Sequence, residues 1–311
     1  FRCLVGCSGV SGASSNQLNY PTALSFDSYG NMYVVDQYNY RIQKFLITST
    51  YYNATTNQPS FCPSTTWYTN AITFANISTV GTHVFGVFVG IDNTIYVANP
   101  QTNQVVVWYE GSTNPDKILS GSLSSPYDLF ATPLGDIYVD NGGNGRVDKF
   151  ALNSNISNSA MSIPNVCYGM FVDISNTLYC AAYTSHQVVK KWLNDNVLTS
   201  TIVAGTGTSG STATTLNTPV GIFVDTEINL YVADCLNNRI QMFPVGQFTG
   251  ITLAGASAPG TITLNTPNGI ALDGNGYLFI ADCFNNRIIG SGPYGFRCLF
   301  GCTNIAGSSS S

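Results

Sequence analysis

The chain has 311 residues, of which 44% are hydrophobic and only 9% are charged, and its net charge is −5. Soluble domains usually have about 25% charged residues, so Ser, Thr, Asn, Gln and Gly must cover most of this surface. The charges form no acidic or basic run, which argues against binding to nucleic acid or to an anionic membrane surface. No stretch approaches the roughly 18 consecutive apolar residues of a transmembrane helix.

The first predicted element is a short strand at Cys3–Gly6, within the opening segment FRCLVGCSGVSG. This segment does not have the pattern of a signal peptide, and no initiator Met precedes it. We therefore expect the chain to be a processed product or a segment of a longer one.

Six copies of one repeat follow, as expected of a propeller or a solenoid. They begin PTALSFD at Pro21, VFGVFVG at Val84, PYDLFAT at Pro126, CYGMFVD at Cys167, PVGIFVD at Pro219 and PNGIALD at Pro267. Short alternating runs separated by Gly, Asn and Asp predict strands joined by tight turns. An aromatic residue marks the second strand of each copy: Tyr33, Tyr96, Tyr138, Tyr179, Tyr231 and Phe279. Eight residues after each aromatic residue comes Arg41, Gln104, Arg146, Gln187, Arg239 or Arg287.

Each copy predicts three strands, and a fourth follows in the linking segment, as in the runs that end at Gly121, Gly205 and Gly255. Six four-stranded antiparallel blades predict an all-β, six-bladed β-propeller that spans residues 1–311 as one domain. The pattern P-x-G-I-x-V-D, N-L-Y-V-A-D and N-N-R-I-Q-x-F resembles the NHL repeat family over nearly the whole chain. It is close in copies one, five and six and looser in the others.

A glycine near the start of four copies is expected where the innermost strands crowd around the axis. These glycines are Gly86, Gly169, Gly221 and Gly269. Ala23 replaces the glycine in the first copy, and Asp128 in the third copy places a carboxylate near the central channel.

Residues 46–83 form a long insertion where the outer strand of the first blade is expected. Its aromatic residues, Tyr51, Tyr52, Trp67 and Tyr68, have two interpretations: a platform for stacking on sugars, or a loop that packs its own aromatic side chains. Loop packing is the favoured interpretation.

The sequence predicts no metal, cofactor or catalytic site, and hence no enzyme. Some NHL-like propellers are zinc-dependent lyases with several histidines in the channel, but this chain has only His83 and His186, at non-equivalent positions. Two histidines cannot supply the three protein ligands of a catalytic zinc, and His186 is expected to be solvated. No nucleophile elbow or phosphate-binding loop is present.

Acidic and amide residues recur after the second strands, at Asp36, Asn99, Asn141, Asp234 and Asp282. A ring of such groups could bind calcium. Because each precedes a tight turn, capping of the turn with a contact to the recurrent Arg is the favoured interpretation. Asp27, Asp173, Asp225 and Asp273 are interpreted as caps of the first hairpins.

Nine cysteines without CxxC pairs suit an oxidising, extracellular environment. We expect Cys235 or Cys283 to pair with a terminal cysteine or with one at a nearby blade entry. In one extended strand, Cys3 and Cys7 lie about 13 Å apart and cannot bond directly. The disulfide candidates are Cys3, Cys7, Cys167, Cys180, Cys235, Cys283, Cys298 and Cys302. The candidates for N-linked glycosylation are Asn53, Asn76 and Asn155, with a rarer Asn-x-Cys motif at Asn165.

The opening segment is duplicated near the other end of the sequence, where FRCLFGCTNIAG matches seven of its twelve positions. If every blade makes its own outer strand, one of the two copies, residues 1–12 or 296–311, is surplus. Three interpretations remain open: one period of a tandem array, a strand that completes a neighbouring molecule, or an end that is frayed or merely covers the last blade. The residues expected to mediate assembly are Phe1, Arg2, Leu4, Phe296, Arg297 and Leu299.

The leading functional hypothesis is a secreted structural or adhesive module that assembles head-to-tail with copies of itself and carries glycans. The alternative is a monomeric propeller that binds a carbohydrate or a protein. Neither hypothesis involves nucleic acid, a membrane or a cofactor.

Overall fold

The computed structural model describes residues 2–48, 52–53, 58–61, 65–256, 258 and 262–291. In this part of the chain, six antiparallel four-stranded sheets account for nearly all regular structure, with one α-helix of a single turn. The innermost strands contact one another in sequence around a closed ring. The predicted six-bladed β-propeller is thus confirmed.

The strands follow the chain in blade order, except for the first. Strand β1 (Arg2–Val5) belongs to the last blade. Blade 1 contains β2 (Pro21–Phe26), β3 (Met32–Asp36) and β4 (Arg41–Phe45), then a separate pair, β5 (Tyr52–Asn53) and β6 (Ser60–Phe61), and its outer strand β7 (Ile72–Ala75). Helix α1 (Ile77–Val80) leads to blade 2, with β8 (Gly86–Val89), β9 (Ile95–Asn99), β10 (Gln104–Trp108) and β11 (Lys117–Leu119).

The remaining blades have the same up-and-down order. Blade 3 contains β12 (Leu129–Ala131), β13 (Ile137–Asn141), β14 (Arg146–Phe150) and β15 (Ser157–Ser162). Blade 4 contains β16 (Cys167–Val172), β17 (Thr177–Ala182), β18 (Gln187–Trp192) and β19 (Thr201–Gly205). Blade 5 contains β20 (Pro219–Val224), β21 (Leu230–Asp234), β22 (Arg239–Phe243) and β23 (Ile251–Gly255), and blade 6 contains β24 (Pro267–Leu272), β25 (Leu278–Asp282) and β26 (Arg287–Gly290).

The ring is closed by the beginning of the chain. Strand β1 runs antiparallel to β26, with Cys3 opposite Ile289. The side chains of Leu4 and Val5 are buried in the core between blades 6 and 1. The first copy of the duplicated segment therefore supplies the outer strand of blade 6, and the second copy, Phe296–Cys302, lies outside the described residues.

The aromatic residues of the second strands have the predicted register. Five of them are more than nine-tenths buried between neighbouring sheets, and Tyr231 is partly buried with its hydroxyl donating to Asp225 Oδ2 at 3.1 Å. The predicted crowding at the axis is also found, because a Cβ on Gly221 would clash with the Asn268 carbonyl oxygen.

The insertion after β4 contains the outer strand of blade 1, β7, within the range 46–83 where this strand was expected. Trp67 is buried against Phe26, Phe61 and Phe279, and its Nε1 donates to the Gly30 carbonyl at 2.8 Å. The described part of the insertion therefore packs its own aromatic side chains between blades 1 and 6. Tyr68 is exposed, and the side chains of Tyr51 and Tyr52 lie outside the described residues.

Candidate functional site

One end of the ring carries a turn after the second strand of each blade, and we call this end the turn face. Five of these turns are short 3₁₀ helices: Gln37–Asn39, Gly142–Asn144, Tyr183–Ser185, Cys235–Asn237 and Cys283–Asn285. The innermost strands begin at the same end, because each pairs antiparallel with its second strand. We call the opposite end, where the first hairpins lie, the hairpin face.

The recurrent aspartates contact the recurrent arginines, as predicted, but they do not cap the turns that follow them, and only Asn99 accepts from backbone N–H groups of its own turn. Asp234 Oδ2 accepts from Arg239 Nε at 2.7 Å, while its Oδ1 accepts from the Asn217 N–H at 2.7 Å. Asp36 forms the equivalent ion pair with Arg41, and Asp282 forms it with Arg287. Burial nevertheless raises the pKa of Asp234 above its usual value. These acids are engaged within the fold, which favours a structural role over calcium binding.

A second recurrent contact ties each of four blades to the next. After the turn, a residue with positive φ accepts a hydrogen bond from the backbone N–H just before the next innermost strand. The pairs are Asn103 with Ser125, His186 with Thr218, Asn238 with Thr266 and Asn286 with Tyr20. His186 is partly exposed, and its Nδ1 accepts this bond at 3.0 Å, so one ring nitrogen is engaged within the fold.

Aromatic side chains fill the centre of the turn face. Tyr168 stacks on Tyr127 and on Tyr183, with ring centroids 4.3 Å apart in both pairs. Phe85 meets Tyr168 edge-on at 4.9 Å. Since Phe85 belongs to blade 2 and Tyr168 to blade 4, both rings must point toward the axis. We call these four residues the aromatic floor; Phe85 is buried, and the three tyrosines are partly exposed.

Exposed apolar side chains border the floor on the turns of three consecutive blades. Leu236, Phe284 and Tyr38 occupy equivalent positions and are 51%, 54% and 54% exposed. Tyr20 joins the last two, because it stacks on Tyr38 at 4.5 Å and meets Phe284 edge-on at 5.0 Å. Such exposed, preformed rings are suited to stacking against a ligand. We call Leu236, Phe284 and Tyr38 the rim.

Two buried thiols lie beside the floor. Cys235 Sγ donates to Asn268 Oδ1 at 3.4 Å, and Asn268 Nδ2 donates to Cys283 Sγ at 3.5 Å. Burial raises the pKa of Cys235 to about 12, so it stays a neutral thiol. The prediction that Cys235 or Cys283 forms a closure disulfide is wrong, because both are free thiols and each faces Asn268.

Two aspartates in blade 3 break the repeat pattern next to the floor. Asp128 occupies the glycine position, and Asp140 occupies a position held by Val35, Ala98, Ala181, Ala233 or Ala281 in the other blades. Asp128 Oδ2 accepts from the Met170 N–H at 2.7 Å. Asp140 is fully buried and accepts from the N–H groups of Tyr127 and Cys167, both at 3.1 Å.

Burial raises the pKa of Asp128 to about 7 and that of Asp140 well above its usual range. The negative charge of Asp128 contributes further to the shift at Asp140. Burial also raises the pKa of Tyr168, with a smaller contribution from Asp140. Strongly shifted carboxyls beside a channel are a common signature of functional sites.

Sequence reasoning placed the Asp128 carboxylate near the channel but missed Asp140 and the aromatic floor. The aligned repeats do contain a signal for Asp140, because a single charge replaces Val or Ala. Phe85, Tyr127 and Tyr168 are the second residues of their repeat copies, where the side chain varies from copy to copy, and Tyr183 lies in the turn after β17. That variability gave no periodic signal.

The described residues contain two disulfides, both formed by cysteines that were predicted as candidates. Cys167 bonds to Cys180 across β16 and β17. Cys3 bonds to Cys7, with their Cα atoms 5.6 Å apart, so the prediction that these two cannot bond is wrong. The strand ends at Val5, and Gly6 has a φ of +69°, so the chain turns back instead of continuing extended. Cys298 and Cys302 lie outside the described residues.

The candidates for glycosylation and for assembly lie in different environments. Asn155 is exposed, and Asn76 is exposed while its Oδ1 caps α1 by accepting from the Ser78 N–H at 3.0 Å. The side chains of Asn53 and Arg2 are not described. Leu4 is buried within its own ring, and Phe1, Phe296, Arg297 and Leu299 lie outside the described residues.

The part of the chain that the structure describes holds no cluster of three His, Cys, Asp or Glu side chains able to bind a metal. Within the same residues, no helix has the length and hydropathy needed to cross a bilayer.

No protein-family model matches the chain, and no curated protein matches its sequence. Among solved structures, it is similar to virginiamycin B lyase from Staphylococcus aureus, with 14% identity, a TM-score of 0.62 and coverage of 91% of this chain and 84% of that chain. A gluconolactonase from Xanthomonas campestris has 12% identity and a TM-score of 0.64, with coverage of 88% and 86%. An auxiliary nutrient binding protein from Bacteroides thetaiotaomicron has 16% identity and a TM-score of 0.66, with coverage of 88% and 68%.

These similarities define the class of protein as a six-bladed β-propeller. They also correct the expectation that the chain is not an enzyme, because a lyase and a lactonase have the same architecture. At such low identity they establish the fold alone.

Proposed function

We propose that this propeller is a secreted binding module that holds a carbohydrate on its turn face. The observation that carries the proposal is the aromatic floor of Phe85, Tyr127, Tyr168 and Tyr183 with its exposed rim of Leu236, Phe284 and Tyr38. Stacking on aromatic rings suits the apolar faces of sugars, and tyrosine hydroxyls suit their polar edges. One structural neighbour is named as a nutrient binding protein, and two disulfides suit an extracellular location.

The test is titration of the protein with soluble oligosaccharides by calorimetry, before and after Tyr38→Ala and Phe284→Ala. We expect each substitution to weaken binding by about 1–3 kcal/mol while leaving the melting temperature unchanged, since both side chains are exposed. Phe248→Ala is the matched control, because Phe248 is 56% exposed on the loop between β22 and β23 at the hairpin face. Equal losses for Phe284→Ala and Phe248→Ala, or no binding of any oligosaccharide, would refute the proposal.

A second candidate function is head-to-tail assembly through the duplicated segment. In blades 1 to 5 the outer strand follows the third strand in the chain, and Phe296–Cys302 follows β26 in the same way. Yet β1 already pairs with β26. We propose that Phe296–Cys302 of one molecule replaces β1 on the blade 6 edge of another, as an added strand. Such a contact does not close on itself and generates a filament.

Deletion of residues 296–311 tests the assembly. Filaments or oligomers of the full chain, seen by electron microscopy and light scattering, are expected to disappear while the monomer stays folded. A full-length chain that remains monomeric at high concentration, or a deletion variant that still assembles, would contradict it. We further propose that the repeats are of the NHL type and that Asn76 and Asn155 carry N-linked glycans, which a mass shift on enzymatic deglycosylation would reveal.

A further inference from the structure

The carboxylate of Asp128 is the one departure from the repeat that places a charged group at the axis. In the neighbouring blades the same position is Gly86 and Gly169, where backbones approach closely. A Cβ on Gly86 would lie 2.6 Å from Asp128 Oδ1, so this oxygen packs on the glycine of blade 2. Asp128 Oδ2 is held by the Met170 N–H of blade 4. The carboxyl thus spans the gap between blades 2 and 4, next to Tyr127 of the floor.

Asp140 has a different role from Asp128. It accepts hydrogen bonds from the N–H groups of Tyr127 and Cys167, and the Gly142 N–H is a third donor. The first two donors lie at the start of the innermost strands of blades 3 and 4, from which Tyr127 and Tyr168 project into their stack. Asp140 therefore acts as a positioning residue that fixes this pair.

No cation neutralises either carboxylate within the described residues. The ion pairs among the described residues use other acids: Asp36, Asp27, Asp148, Asp136, Asp234 and Asp282. Asp140 is buried and Asp128 is partly exposed, and holding carboxylates in such surroundings without a cation is costly. The five other blades avoid this cost with Gly or Ala at the Asp128 position. A repeat that departs from its own pattern at a cost to stability indicates function.

We propose that the aromatic floor binds a ligand through a protonated aliphatic amine, with Asp128 as the counter-charge and the partly exposed rings of Tyr127 and Tyr168 beside the ammonium group. This inference rests on the proposed binding of a carbohydrate at the turn face and assigns an amino sugar as its class. Aromatic faces attract cations, and the attraction is stronger where water is excluded.

The arrangement selects an ammonium group over other cations. A guanidinium pairs best with both oxygens of a carboxylate, but Asp128 Oδ2 is already held by the Met170 N–H. A hard metal ion needs six or more oxygen ligands, and the oxygens of Asp140 are taken by backbone donors. The Asp128 carboxyl, already engaged by the N–H groups of Met170 and Leu129, can act as a point charge, which together with the neighbouring tyrosine rings matches a compact ammonium group.

The experiment compares two probes and two variants by titration calorimetry. The probes are a glucosamine tetramer with free amines and its fully N-acetylated counterpart, together with the small amine phenethylamine. Asp128→Asn keeps an oxygen for the Met170 N–H but removes the charge, and Asp128→Gly restores the residue of the neighbouring blades. Phe248→Ala serves as the distant control.

We expect the wild type to bind the amine tetramer at least tenfold more tightly than the acetylated one. Both Asp128 variants should lose this preference, whereas Phe248→Ala should keep it. If Asp128→Asn keeps the preference, or if phenethylamine binds the wild type and Asp128→Asn equally, the amine site is refuted. If neither tetramer binds but phenethylamine still prefers the wild type over Asp128→Asn, carbohydrate binding fails and the amine site stands.

Discussion

Cys3 lies opposite Ile289 in the antiparallel ladder that closes the ring, although the two residues are near opposite ends of the described chain. The pairing satisfies the backbone edge of β26 and buries Leu4 and Val5 in the core. An uncovered edge of this kind promotes association with other chains.

We therefore expect removal of both copies of the closing segment, residues 1–7 and 296–311, to destabilise the propeller by roughly 3–6 kcal/mol, the value of two buried aliphatic side chains. The variant should also aggregate. Removal of residues 296–311 alone should leave the melting temperature unchanged, because β1 remains in place. Thermal melts with light scattering measure both effects, and a double deletion as stable as the wild type would rule out the closure described here.

The aromatic layer of the second strands should behave as core. Tyr231→Ala is expected to lower the free energy of unfolding by roughly 3–5 kcal/mol, whereas Tyr231→Phe should lower it by about 1 kcal/mol, because only the hydrogen bond to Asp225 is lost. Chemical denaturation of the two variants checks the difference. Equal effects would mean that the ring contributes nothing beyond its hydroxyl.

Stability should depend on pH through the two carboxyls of blade 3. Because the pKa of Asp128 rises from 3.8 to about 7 on folding, the folded state holds a proton that the unfolded chain releases between these values. The free energy of unfolding therefore falls as the pH rises from about 4 to about 7, by at most about 1.4 kcal/mol per pH unit for each carboxyl. Asp140, whose pKa is also raised, acts in the same direction.

The double variant Asp128→Gly, Asp140→Ala should lack this contribution. Other buried acids remain in both proteins, so the informative quantity is the difference between the wild type and the variant across this pH range. A difference that does not change with pH would show that neither carboxyl is protonated on folding.

The contact between blades 4 and 5 allows a matched pair of substitutions. His186→Asn is expected to keep stability within about 0.5 kcal/mol, because Asn238 and Asn286 accept the same bond at equivalent positions with positive φ. His186→Ala should cost about 1–3 kcal/mol, since the Thr218 N–H then loses its partner. Thermal melts of both variants test this, and an alanine variant as stable as the asparagine variant would contradict it.

The architecture could be predicted because equivalent residues recur at fixed spacings in the six copies and so align their strands. The spacing of eight residues from Tyr231 to Arg239 separates the aromatic residue from an Arg or Gln in every blade, and it places the intervening turn in a fixed position. The outer strands were harder to predict. That of blade 3, Ser157–Ser162, is largely polar, and that of blade 1, Ile72–Ala75, follows a long insertion. Edge strands need only one apolar face, so their pattern is weak.

The site could not be predicted as a whole, because it is assembled from residues that the repeat leaves free to vary. Phe85 and Tyr168 come from blades that are not adjacent, and only closure of the ring brings their side chains together. The disulfide of Cys3 and Cys7 was missed for a local reason, since one glycine, Gly6, ends the extended chain between them.

Because β1 closes the ring, the order of synthesis determines when the last blade can be completed. Within this propeller, β1 is synthesised before the other strands and its partner β26 after them, so β1 has no partner until all six blades have emerged. Contacts between such distant segments form slowly, and unpaired edges are exposed meanwhile to neighbouring nascent chains. The turn locked by Cys3 and Cys7 is local and needs no other part of the chain. It can therefore form early and keep the segment around Gly6 turned back until β26 has been synthesised.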